Sequence, residues 1–227
     1  MNRIWPRLLS VLITLALPVL VLAVALRVTT APWLVHWEYG KPDFPPDPYG
    51  LTTEERIRLA EVCVEYLVTG AGIELLADLE LEGRPAFNER ELAHMVDVKR
   101  VLWAFLWAGL GAGVVVFGGT AALLARRPTR PRAAGALGSG VLLILGLLVA
   151  VGGLMLLRWD FFFTAFHELL FPPETWTFPT SDTLIRLYPE RFWMDVGLVI
   201  VGLVLVQAVA WGGVALGLRR WAVSGAR

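Results

Sequence analysis

The chain has 227 residues, 56% of them hydrophobic, with a formal net charge of zero and a mean hydropathy of +0.63. Soluble domains are usually about 45–50% apolar; here the excess falls in blocks, which excludes a single soluble globule and points to membrane spans. The one cysteine, Cys63, excludes an intrachain disulfide and, in a stretch rich in Val and Leu, reads as a small buried hydrophobe.

Residues 1–7 form a short basic tail with Arg3 and Arg7. Residues 8–26 are uncharged and match the roughly 20 apolar residues that a bilayer crossing needs. This run is longer than the about 7–15 residues of a cleavable signal core, and no small-x-small site follows it, so it reads as an uncleaved anchor. Residues 27–100 are too long to be a mere connector. Within them GKPDFPPDPYG at 40–50 reads as a stiff, irregular loop. TTEERIRLAEVCVEYLV predicts an amphipathic helix starting at Thr52 or Thr53, with Arg56, Ile57, Leu59, Ala60, Val64 and Leu67 at matching spacing. Gly70 and Gly72 end it. IELLADLELEG alternates weakly and fits either a strand or a helix.

Asn88 and Glu91 then form a capping-box pattern. From there NERELAHMVDVKRVLWAF holds no breaker, so one helix should run from water into the second span, 101–125. At about 1.5 Å rise per residue His94 lies just under two turns before Val101, near the lipid headgroups. Glu91, His94 and Asp97 share one face of that helix. Residues 126–132 are a basic loop and 133–157 a third uncharged span. Residues 158–195 begin with WDFFFTAFHELLF, read as an interfacial helix carrying His167 beside Phe163, Phe166, Leu170 and Phe171. PPETWTFPT follows as a loop, and Ser181 and Asp182 can cap a short helix TLIRLYP stopped by Pro189. Residues 196–218 are the fourth span and 219–227 a basic tail.

The fold class expected is therefore an α-helical integral membrane protein with four transmembrane helices and a small extracellular cap built from 27–100 and 158–195. Segments 1–7, 126–132 and 219–227 carry nine Arg and no acid, while all 20 acidic residues lie in the two long segments. The positive-inside rule then puts both termini in the cytoplasm and the cap outside. Trp33, Trp37, Trp103, Trp159 and Trp193 cluster near the outer ends of the spans, as amphipathic rings prefer. Frequent Gly in the spans lets helices approach closely. The spans hold no Asp, Glu, Lys, Arg or His, and that argues against a conduit, which ordinarily carries ionisable groups at mid-membrane.

The three histidines, His36, His94 and His167, all fall in the outer segments. Imidazole exchanges protons near neutral pH and can donate to a forming oxyanion. HExxH and other familiar ligand spacings are absent, so no metal or other cofactor is expected; a site assembled in space from the three histidines with Asp97 is the competing reading. GxSxG is absent too, and GSG at 138–140 lies on the cytoplasmic side, away from every histidine. The basic clusters are short juxtamembrane stops, which gives no support for nucleic-acid binding.

Three blocks carry a resemblance: HWEYGKPDFPPDPYGLTTEER at 36–56, ELAHMVDVKRV at 91–101 and FHELLFPPETWTFPTSDTLIRLYPERFW at 166–193. Together with the four-span layout they resemble the bacterial integral-membrane family of the lipoprotein intramolecular transacylase over nearly the whole chain. The resemblance implies an acyltransferase in the bacterial cytoplasmic membrane. Such an enzyme moves the sn-2 acyl chain of a diacylglyceryl lipoprotein to the amine of its N-terminal cysteine, leaving a lyso-form lipoprotein. Its partners would be the lipoprotein and membrane lipids. By motif the two catalytic histidines correspond to His94 and His167, and either can be base or oxyanion donor on this reading. Asp97 or Glu91 could orient His94, and Tyr39, Trp37, Trp176 and Arg186 are candidate pocket residues by their place in the matching blocks. His36 and Trp37 depart from the Tyr or Phe expected there. Transfer to an amine already in the substrate needs no enzyme nucleophile, which suits the missing serine motif. The competing readings are a membrane lipid-ester hydrolase using the same histidines, and a non-catalytic membrane scaffold.

Overall fold

The computed structural model describes residues 4–173 and 175–224, so Arg3, Arg227 and Glu174 of the PPETWTFPT loop lie outside the described residues. In chain order the elements are α1 (Ile4–Thr29), α2 (Pro32–Tyr39), α3 (Thr53–Val68), α4 (Glu74–Ala77), β1 (Glu80–Leu81), β2 (Arg84–Pro85), α5 (Glu89–Leu124), α6 (Arg130–Leu147), α7 (Gly153–Leu157), α8 (Trp159–Leu170), α9 (Thr183–Leu187) and α10 (Glu190–Ser224). A π-helical turn over Leu148–Gly152 joins α6 to α7. Four helical stretches, Ile4–Thr29, Glu89–Leu124, Arg127–Leu157 and Glu190–Ser224, are long and apolar enough to cross a membrane, as the sequence predicts.

The chain divides into two compact units. The first comprises Met1–Leu26, Phe105–Leu157 and Ile200–Arg227. Its buried centre includes Ile13, Leu17, Val21, Val116, Leu137, Ile144 and Ala208. Gly140 marks a close approach, because a Cβ there would stand 2.8 Å from Leu17 Cδ2 and 3.3 Å from the Thr14 carbonyl. That carbonyl lacks its usual helical donor, since Pro18 four residues on has no N–H. Thr14 Oγ1 donates to Ala136 O at 3.1 Å, and Gln207 Nε2 donates to Val21 O at 3.1 Å. Close packing and such bonds hold helices together where lipid removes the hydrophobic drive between them. Val114, Leu142, Val149 and Val209 are 69%, 71%, 77% and 70% exposed, apolar surface that suits lipid and not water.

The second unit comprises Arg27–Ala104 and Arg158–Val199. Its core joins Leu59, Cys63 and Tyr66 of α3 to Leu76, Phe87, Met95, Leu184 and Leu187. Two capping boxes form, of which the sequence predicts the one at Asn88 and Glu91. Thr52 N–H donates to Glu55 Oε2 at 2.8 Å and Glu55 N–H to Thr52 Oγ1 at 3.2 Å. Asn88 N–H donates to Glu91 Oε2 at 2.8 Å and Glu91 N–H to Asn88 Oδ1 at 3.0 Å. The ambiguous IELLADLELEG contains both α4 and β1, and β1 pairs antiparallel with β2.

Two details differ from the sequence reading. Helix α2 was not anticipated; Pro32 at its first turn supplies the fixed φ that starts it. Asp182 precedes α9, but its side chain makes no cap bond and pairs instead with Arg90 at 3.0 Å. The missing cap comes from another helix, because Leu184 N–H donates to Glu91 Oε1 at 2.7 Å. A carboxylate distant in sequence thereby ties the start of α5 to α9.

Candidate functional site

The uninterrupted α5 carries His94 in its second turn, and α8 carries His167 near its C-terminal end. Both belong to the second unit. The two imidazoles stand with ring centroids 6.4 Å apart and planes inclined by 22°. Aromatic rings enclose them. Phe163, Trp176 and Phe171 lie 4.1, 5.0 and 5.6 Å from His167, and Phe171 and Phe178 lie 5.0 and 5.3 Å from His94. The spacing of α8 accounts for Phe163 and Phe171, which lie one turn either side of His167. Trp176 and Phe178 come from the proline-flanked loop between α8 and α9.

His167 Nδ1 lies 2.7 Å from the Phe163 carbonyl. A carbonyl only accepts, so Nδ1 carries the proton and neutral His167 presents a free lone pair at Nε2. His94 Nδ1 is buried and, among the described residues, has no hydrogen-bond partner. His94 precedes the uncharged run 101–125, and His167 lies between the runs 133–157 and 196–218. Burial pushes His94 down to about 4, the neighbouring His167 adds to this, and Asp97 opposes it. Burial also lowers His167 below 6.5, partly offset by the Phe163 carbonyl. At neutral pH the pair is therefore uncharged: one ring offers an oriented lone pair, and the other a neutral imidazole able to donate a hydrogen bond. Such a pair suits proton transfer beside a developing oxyanion.

The other sequence candidates separate into two groups. Trp176 joins the histidines, and Asp97 is close enough to act on His94 electrostatically, though its Oδ1 pairs with Arg100 at 2.6 Å. Glu91 shares the helix face with His94, yet both its oxygens accept backbone N–H groups, from Asn88 and Leu184. Tyr39 donates from its hydroxyl to Leu187 O at 2.6 Å. Arg186 clasps Asp47 at 2.8 Å. Trp37 is half-exposed, under the Lys41 ammonium at 3.6 Å. These four have structural partners of their own. His36 pairs with Glu61 at 2.7 Å on the surface. Cys63 is fully buried, and burial pushes its thiol up to about 12.

Phe178 escaped the sequence reading. It sits in a loop without periodicity, and only the fold brings it to His94. The Phe163 carbonyl was legible in principle, as the acceptor four residues before a helical histidine. Among the described residues no three His, Cys, Asp or Glu side chains gather as a metal site. A groove of about 420 Å³ lined by Ser10, Thr14, Arg132 and Ser139, among others, belongs to the first unit and holds no general base.

Comparison with known proteins places these features in context. The family described as lipoprotein intramolecular transacylase Lit matches residues 9–193. An uncharacterized protein of Aquifex aeolicus is 32% identical over 190 residues, 83% of this chain and 84% of its own. The in meso structure of the membrane integral lipoprotein intramolecular transacylase Lit from Bacillus cereus superposes with a TM-score of 0.74 at 20% identity. That match covers 100% of this chain and 99% of the other. A histidine-to-alanine variant of the same Bacillus cereus protein gives a TM-score of 0.73 at 22% identity, over 98% of this chain and 96% of the other. At these identities the solved structures establish the fold.

Proposed function

The chain belongs to the lipoprotein intramolecular transacylase family, and on that premise we propose that it moves the sn-2 acyl chain of a diacylglyceryl lipoprotein to the amine of the N-terminal cysteine. The observation that supports this is the meeting of two neutral imidazoles, 6.4 Å apart, within one aromatic pocket. We place the pocket at the outer leaflet, because the arginine-only segments lie on the opposite side of the spans.

His167 is the general base. The Phe163 carbonyl fixes its tautomer and leaves Nε2 free to take the proton from the amine. His94 is the oxyanion donor, because a strongly lowered imidazole is a poor base but keeps an N–H to offer. The amine nitrogen forms the new C–N bond, the carbonyl oxygen becomes the oxyanion, and collapse breaks the ester C–O bond. His167 returns its proton to the departing glyceryl oxygen. No protein nucleophile enters, since the acceptor is tethered to the donor through the cysteine side chain and glycerol.

The test is mass spectrometry of lipoprotein N-termini after expression in a host that makes only diacylglyceryl lipoproteins. A lyso-form should appear, and should vanish with His94→Ala or His167→Ala. Unchanged N-termini despite full membrane expression would rule out the transacylase. Free fatty acid with no N-acyl product would favour a lipid-ester hydrolase.

A further inference from the structure

The two imidazoles do not by themselves choose the acceptor. Attack by the amine forms an N–C bond and frees the glyceryl hydroxyl. Attack by water at the same carbonyl breaks the same C–O bond and releases a free fatty acid and the same hydroxyl. Tethering favours the amine only if it is held in line. The cyclic transition state through cysteine and glycerol spans a flexible ring of about eight atoms, far from the rigid geometries that reach effective molarities of 10⁵–10⁸ M. Water must then be kept out as well.

The walls of the pocket are suited to that task. Phe163, Phe166, Phe171 and Trp176 surround His167, and Phe171 and Phe178 surround His94, all with centroids within 5.6 Å. Phenyl rings offer water no strong partner and the Trp176 indole a single donor, whereas an ordered water needs about 2–4 polar contacts. The burial that lowers both imidazoles is the electrostatic mark of the same dry surroundings. Phe163, Phe166 and Phe171 belong to α8 or its end, so helix register already sets them beside His167. Trp176 and Phe178 are different: a loop brings them in, and it is tied down from outside the pocket. The Arg90 guanidinium lies 5.4 Å over the Phe178 ring and pairs with Asp182 at 3.0 Å, while Tyr49 and Thr180 hydroxyls meet at 2.8 Å.

We infer that Trp176 and Phe178 are specificity-determining residues whose rings keep water from the histidine pair and so commit the acyl chain to the amine. This inference rests on the transacylase reading. It goes further by giving the loop rings a role in the choice between transfer and hydrolysis.

The experiment uses the full-length protein in lipid vesicles, ¹⁸O-labelled water and two synthetic diacylglyceryl lipopeptides. One has a free N-terminal amine and the other is N-acetylated. The wild type should give N-acyl lyso-lipopeptide from the first and leave the second intact. Trp176→Ala and Phe178→Ala should release ¹⁸O-labelled fatty acid from both, raising its share of product about tenfold or more. Trp176→Phe should restore the wild-type partition, which a loss of folding would not explain. An unchanged partition in both alanine variants at wild-type melting temperature overturns the inference. So does hydrolysis of the acetylated lipopeptide by the wild type, an arm that needs no variant to fold. A wild type making no N-acyl product from the free-amine lipopeptide defeats the transacylase reading itself, a separate outcome.

Discussion

Arg186 lies in a sequence block shared with the family and was a candidate for binding substrate, yet its geometry describes a strut. Its Nε donates to Asp47 Oδ1 at 3.1 Å and its Nη2 to Asp47 Oδ2 at 2.8 Å. The side chains are 14% and 0% exposed. Asp47 also accepts the Leu51 N–H at 2.7 Å, and the Arg186 carbonyl accepts from Arg56 Nε at 2.9 Å. Burial pushes the Asp47 carboxyl up, but Arg186 and the Leu51 N–H outweigh it and hold the group below its ordinary range. Removing one member of a buried pair strands the other charge and costs about 3–5 kcal/mol. The residual exposure of Arg186 puts this case at the lower end. Arg186→Ala and Asp47→Ala should each destabilise by about 3 kcal/mol, and the double variant by clearly less than their sum, with a coupling of about 2–3 kcal/mol. For a chain of this size each single variant should melt about 6–12 °C lower. The assay is thermal melting in detergent, paired with turnover of a diacylglyceryl lipopeptide at a temperature where all variants are folded. Turnover per folded molecule should stay near wild type. The Asp47 contribution has a definite pH sign: with the folded value depressed, it is present above the ordinary carboxylate range and lost as pH falls through it. Strictly additive losses, or unchanged melting with a raised KM, would show that Arg186 acts on substrate and not on Asp47.

Two more outcomes follow from the same geometry. On the proposed assignment His167 must be neutral to act as base, and because burial holds its folded value below 6.5, the protein's own limb in a kcat–pH profile should fall on the acid side of that value. Activity is retained above it, and any limb at about 7.7–8.0 belongs to the substrate amine; an enzyme limb above neutrality, traced with a substrate whose amine value has been shifted, would contradict the assignment. At Gly140, where a Cβ would press on Leu17 Cδ2 at 2.8 Å, Gly140→Ala should destabilise by about 1–3 kcal/mol. Gly138→Ala, with nothing within 4 Å of the added carbon, should stay within about 0.5 kcal/mol, and equal melting of the two variants would show that the close helix approach carries no constraint.

The legible part of this protein is what depends on local pattern. Four uncharged runs marked the spans, because a charged side chain is costly in the hydrocarbon core. Asn88 and Glu91 announced the start of α5, because a capping box acts over three residues. His94 and His167 drew notice as imidazoles in apolar, aromatic surroundings, and the fold sets them side by side. What escaped was set by contacts distant in sequence. Phe178 meets His94 beside ties that no window of sequence contains, Glu91 holding Leu184 N–H and Thr183 Oγ1 donating to Ala86 O. Glu91, Tyr39 and Arg186, candidates by their place in the resembling blocks, have partners of their own, Leu184 N–H, Leu187 O and Asp47, that lie far off in sequence.

The choice of partner for His167 bears on how a base can work in such a pocket. A histidine base is commonly oriented by a carboxylate, which also stabilises the imidazolium it becomes. No carboxylate is among the groups that shift His167, and Asp97, which acts on His94 from a distance, is paired with Arg100. A backbone carbonyl does the orienting instead, at 2.7 Å and within a single helix. A carbonyl is neutral, so no bare charge has to be desolvated beside the lipid chains, where an unpaired ion is most costly. It raises His167 less than a carboxylate would, so the imidazole stays neutral at physiological pH and available to accept a proton. In the proposed mechanism the imidazolium formed during transfer is short-lived and matched by the oxyanion facing His94, so the charge pair exists only while the tetrahedral species does. On that proposal the stabilisation such a neutral pair provides is confined to the transition state, where it would accelerate the reaction.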